Sequence, residues 1–152
     1  MTEEQRLAAA VQTIIDANMD AAQISPAWVA TEAMAAIKFP RELHRLGYAG
    51  CHLELRQIAR SKLRRQFDPI NQAWEASAET DEEDLFPETL QDRYPRRPEK
   101  GQEPLYVLRV LMRRADVDYN VQRMRRAGRA LLKHADALGA WGEDSLGERP
   151  AA

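Results

Sequence analysis

Leu7, Val11, Ile14 and Asn18 recur at steps of three and four, with Ala10 and Ile15 widening the stripe, and this spacing predicts a helix over residues 3 to 19. Glu3 and Glu4 at its start suit the positive end of the helix dipole. Ser25-Pro26 predicts a second helix start, because serine caps free N–H groups and proline loses nothing at the first helical position. Ala30, Ala33, Met34 and Ile37 form its expected buried face, and Pro40 marks its end. A third helical stretch runs from Arg41 toward Phe67, with a bend or a break expected at Gly47 and Gly50, since glycine costs about 1 kcal/mol inside a helix. Its second part, CHLELRQIARSKLRRQF, is amphipathic. Cys51, Leu55, Ile58 and Ala59 line one side, while Arg56, Arg60 and Arg64 climb the other at steps of four. Lys62 intrudes on the apolar side and Leu63 on the basic one.

Residues 68 to 103 lose the helical period and carry Pro69, Pro87, Pro95, Pro98 and the run ETDEEDLFPE, which predicts a long irregular acidic arm. Leu85, Phe86, Leu90 and Tyr94 within it are expected to dock. Pro104 is then expected to open a helix with Leu105, Leu108, Leu111 and Met112 inward. Asp116 is placed to cap a last helix reaching about Trp141, in which Val121, Met124, Gly128, Leu131, Ala135 and Leu138 alternate steps of three and four. That seam would close either a core or a homodimer through Val121, Met124, Leu131 and Leu138, with Gly128 as a crossing point. Gln122, Arg126, Arg129 and Lys133 lie on the far side, flanked by Arg123 and Arg125. The expected architecture is all-α: a compact bundle of about five helices over residues 1 to 141, the acidic arm between helices three and four, and a flexible tail over 142 to 152.

Composition narrows the class. A chain of 152 residues, 44% hydrophobic and 30% charged, suits one ordinary globular domain. No apolar run approaches the roughly 20 residues that a membrane span needs, so no membrane partner is expected. The two glutamates near the N-terminus do not resemble a secretory signal, and a cytoplasmic location is expected. The lone Cys51 excludes an internal disulfide.

Charge changes the picture more. The net −2 is built from opposed blocks: −3 over residues 1 to 40, +5 over 41 to 67, −7 over 68 to 103, +6 over 104 to 135 and −3 over 136 to 152. With a Debye length of about 8 Å at physiological salt, a partner on one face responds to its block rather than the total. Arginine dominates both basic blocks, and its planar five-donor head suits phosphates and carboxylates.

Chemistry of other kinds finds little support. Cys51, His52 and His44 form a poor cluster, because two helical turns separate His44 from Cys51. His134 reads as a surface or capping residue. The acids Glu79, Asp81, Glu82, Glu83 and Asp84 do not follow the alternating calcium-loop pattern, and no phosphate-binding or nucleophile-elbow motif occurs. No enzyme activity, metal or cofactor is expected.

Two binding functions remain. One is nucleic-acid binding, DNA or RNA and regulatory in role, through Arg56, Arg60, Arg64, Arg123, Arg126, Arg129 and Lys133. Residues 26 to 66 would then be a helix-turn-helix variant, with Asn120 or Gln122 available to adenine edges. The other is a small inhibitor or interaction module, of the kind phages and mobile elements carry. It would hold a nucleic-acid-processing protein through Asp81, Glu82, Glu83, Asp84, Leu85, Phe86 and Tyr94 together with the arginine faces.

Overall fold

Thr2 and Gln5 open the chain's first helix by reciprocal capping: the Gln5 N–H donates to Thr2 Oγ1 at 3.2 Å and the Thr2 N–H to Gln5 Oε1 at 2.9 Å. In this computed structural model residues 2–37, 47–71, 90–128 and 131–147 are described. The expected helix start at Arg41, the run Asp81, Glu82, Glu83, Asp84, Leu85 and Phe86, and Arg129 lie outside them. The described residues are predominantly helical, and they divide into two compact units, Met1–Arg64 and Arg65–Ala152.

The first unit holds α1 (Glu3–Ala17), the short extended pair β1 (Gln23–Ile24), α2 (Pro26–Ala36) and most of α3 (Gly47–Phe67). Leu7, Val11 and Ile15 are buried on α1, and Val29, Ala30, Ala33 and Met34 on α2. Ser25 caps α2 as expected, its Oγ accepting from the Trp28 N–H at 3.2 Å, with Pro26 in the first turn. Helix α3 begins at Gly47, whose φ of 67° lies in the left-handed region that glycine enters freely. Gly50 sits inside the helix without breaking it, so of the bend or break expected at the two glycines only Gly47, at the helix start, departs from helical backbone. On α3 the buried residues are Cys51, Leu55, Ala59, Leu63 and Phe67, a strict four-residue series. Leu63 therefore belongs to the apolar side, not the basic one. Each step of four turns 40° past a full circle, so the buried stripe winds round the helix and reaches Leu63 by its fourth member. Lys62 is half-buried and extends its ammonium to Gln12 Oε1 at 3.4 Å, its stem lying along apolar surface.

The second unit departs further from the periodicity. No helix follows Pro104: Tyr106–Leu108 form strand β3, paired antiparallel with β2 (Arg93–Pro95) in the register Arg93 to Leu108, Tyr94 to Val107 and Pro95 to Tyr106. A single 3-10 turn, Arg109–Leu111, follows and leaves Leu111 exposed. Aromatic and β-branched side chains at 106 and 107 favour a strand, and part of the expected arm is thus a buried ladder strand.

The expected last helix is two, α4 (Arg114–Ala127) and α5 (Leu132–Leu146), separated at Gly128 with φ 137°. The crossing point lies elsewhere, at Gly142. Breaking the helix folds the seam on itself, so Val121, Met124, Leu131, Ala135 and Leu138 share one core with Tyr94, Val107, Met112 and Val117. The four positions expected at a homodimer interface are consumed inside one chain, each at most 5% exposed. Helix α5 also outruns Trp141 by a turn, converting residues 142 to 146 from expected tail into helix.

Candidate functional site

Each arginine of the α3 series follows a buried residue by one position: Arg56 after Leu55, Arg60 after Ala59, Arg64 after Leu63. The two stripes consequently wind in parallel, about 100° apart, for the length of the helix. Arg56 is half-buried, whereas Arg60 and Arg64 are exposed along with Leu53, Gln57, Ser61 and Arg65. From residue 55 to residue 67 the helix contains five bases and no acid. At the helix start, Tyr48 is 65% exposed and stacks on His52, ring centroids 6.4 Å apart and planes inclined by 18°. The Thr31 hydroxyl donates to Ala27 O at 3.0 Å, which leaves its lone pairs to accept from His52 Nε2 at 3.1 Å. Tyr48 did not stand out in the sequence because a bend or break was expected around it, and His52 was weighed only as a poor metal or thiol partner of Cys51. With Gly47 starting the helix, they extend the arginine series backward by two steps of four. Cys51, at the start of the buried stripe, has its thiol pushed up by burial and then by the Glu54 and Glu3 carboxylates.

Among the described residues of the second basic stripe, Arg123 is engaged and the others are divided between two helices. Arg123 is tied to Asp68, Nη2 to Oδ2 at 3.0 Å, with its guanidinium over the Tyr119 ring. Asp68 also accepts from the Ile70 N–H at 3.2 Å, so it serves a chain turn and an ion pair together. Arg126 and Lys133 remain exposed but stand on different helices, on either side of the Gly128 break. Arg125 reaches Asp136 at 3.2 Å across that turn. Asn120 is buried and donates to Pro95 O at 2.7 Å and Asp116 O at 2.9 Å, which removes it as a base reader.

Tyr94, expected in a partner-binding arm, is wholly buried. Its hydroxyl accepts from the Gln91 N–H at 3.0 Å and sits 2.9 Å from His134 Nε2. Donation to that nitrogen gives the buried hydroxyl an acceptor, and burial pushes the phenol up to about 12. His134 is likewise a core residue, not the surface histidine expected. Tyr94 thus docks, as expected of a large side chain in that segment, whereas His134 carried no sequence signal for burial, since histidine is polar at one end and apolar elsewhere.

A cleft of about 660 Å³ opens beside the start of α4. Arg96, Arg97, Arg113, Glu99, Glu103, Asp116 and Asp118 line it together with Leu105, Tyr119 and Gln122. Arg96 is already engaged by Asp116, and the remaining charges are of both signs, so the cleft selects neither an anion nor a cation. Asp116 was expected to cap α4 at its head and instead stands one turn in, its Oδ2 accepting from the Arg113 N–H at 2.8 Å.

Comparison with protein-family models, with curated proteins and with solved structures finds no match to this chain. Among the described residues no helix is long and apolar enough to cross a membrane.

Proposed function

We propose that the chain is a non-enzymatic nucleic-acid-binding protein whose contact surface is the arginine side of α3. The observation that carries this reading is the acid-free stretch from residue 55 to 67. There Arg60, Arg64 and Arg65 face solvent while Leu55, Ala59 and Leu63 anchor the other side of the same helix. A rigid helix backed by a core holds its cations in fixed positions, and each cation that neutralises a phosphate releases counterions. Arginine adds bidentate geometry at each phosphate. The chain's overall acidity does not oppose this, because a strand on α3 feels charges within about 8 Å far more than the total.

Fluorescence anisotropy with labelled duplex and single-stranded oligonucleotides tests the proposal. Contacts from Arg56, Arg60, Arg64 and Arg65 to four duplex phosphates would weaken binding roughly 150-fold between about 50 and 200 mM salt. Absence of binding at the lower salt, or binding indifferent to salt, would overturn it.

A further inference from the structure

Helix α3 carries one unbroken series at steps of four, Tyr48, His52, Arg56, Arg60 and Arg64. It spans about 24 Å along the axis, winding 40° at each step. The series begins with two stacked rings and continues with three guanidinium groups. We infer that this stripe takes single-stranded nucleic acid, an unpaired base stacking on Tyr48 and the neighbouring phosphates lying on the arginines. The inference rests on the nucleic-acid reading of α3 and narrows it to one class of strand.

Three features argue for a single strand. Bases inside a duplex are stacked on both faces by their neighbours, so an exposed ring gains a partner only from an unpaired base or an end. Tyr48 is largely exposed, and its ring lies nearly parallel to that of His52 with centroids 6.4 Å apart, at the surface of the helix start. His52 is held by Thr31, so the shelf under Tyr48 is fixed in advance and loses little freedom when a base arrives. Leu53, 55% exposed, lies at about 20° round the helix, between Arg60 at 0° and Arg64 at 40°. An apolar side chain there gains nothing from duplex phosphates but can cover a splayed base or sugar.

The experiment is an anisotropy titration of the full chain with a short mixed-sequence single strand and with a hairpin duplex of matching length. Tyr48→Ala, Tyr48→Trp and Arg60→Ala/Arg64→Ala are compared with the parent. Tyr48→Ala is expected to weaken single-strand binding about 5- to 150-fold, the range for one lost base stack, with the salt slope and duplex binding unchanged. Tyr48→Trp should keep single-strand affinity, and the double arginine variant should weaken both ligands and flatten the salt slope. Because Tyr48 is exposed, its variants should melt with the parent, which separates lost binding from lost folding. If Tyr48→Ala binds the single strand like the parent, or loses both ligands equally, the single-strand assignment falls. With the arginine variant still defective, the nucleic-acid reading would stand without it. If the parent binds neither ligand at about 50 mM salt, both fall.

Discussion

Arg96 grips Asp116 with two parallel hydrogen bonds, Nε to Oδ1 at 2.9 Å and Nη2 to Oδ2 at 3.0 Å, and so ties the segment after β2 to the first turn of α4. The carboxylate is 2% exposed and the guanidinium 23%, so the pair is shielded on one side and wet on the other. Removing one partner of a buried pair costs about 3 to 5 kcal/mol, and the solvent reaching Arg96 lowers that. Asp116→Asn should therefore destabilise the protein by about 2 to 3 kcal/mol in urea unfolding. Arg96→Lys should cost nearly as much as Arg96→Ala, because a lysine cannot reproduce the two-pronged contact.

The same carboxylate predicts acid sensitivity. Burial alone would raise its pKa, but hydrogen bonds from Arg96 and the Arg113 N–H, with both positive charges, outweigh burial and hold it below the usual range. A group with a depressed folded pKa stabilises the protein above its unfolded pKa, about 3.9 for aspartate. That stability is lost as pH falls through the folded value. Thermal melts from neutral pH downward should show the parent losing stability below about pH 4, and Asp116→Asn should show a shallower decline there. Equal slopes in both would remove Asp116 from the acid transition.

Tyr94 and His134 predict the opposite limb. Tyr94 is raised to about 12, so its contribution is complete below the unfolded phenol value of about 10 and is lost as pH rises through the folded one. A spectrophotometric titration should find Tyr94 ionising with unfolding rather than before it, and Tyr94→Phe should lower the amplitude of that step by one tyrosine. The variant leaves the Gln91 N–H and His134 Nε2 without the hydroxyl, a cost of about 1 to 3 kcal/mol.

What the sequence made legible followed from local rules. The start of α1, the capped start of α2 and the buried faces of both came from spacing and side-chain chemistry that act within one turn, although the Thr2–Gln5 cap itself was not read. The long-range features did not. Nothing near Gly128 distinguishes a glycine that breaks a helix from one that packs inside it. Both sit in the same three-and-four pattern, and only the return of α5 onto α4 decides. Residues 104 to 112 failed similarly, because Leu105, Leu108 and Met112 fit a helical period while the pairing of Tyr106 with Pro95 depends on a strand eleven residues away. On the candidate site, Arg56, Arg60 and Arg64 were legible as a series. Arg123 was not separable from them, since its ion pair with Asp68 closes across 55 residues of chain.

Gly142 supplies the sharpest packing test. A Cβ built there would stand 2.9 Å from Val117 Cγ1 and 3.5 Å from Val117 Cγ2, so the close approach of α4 and α5 exists only because position 142 has no side chain. Alanine would ordinarily favour the helix by about 1 kcal/mol over glycine. Here valine cannot yield, being branched at Cβ and confined to few rotamers, and the helices must separate. Gly142→Ala should therefore destabilise the protein by about 1 to 3 kcal/mol, the usual cost of overpacking. In a Val117→Ala background the obstructing methyls are gone, and the same substitution should become neutral or stabilising. That reversal of sign, measured as a coupling between the two positions in a double-mutant cycle, distinguishes a steric contact from a general intolerance of change at 142. Additive effects of the two substitutions would show that the helices do not meet there.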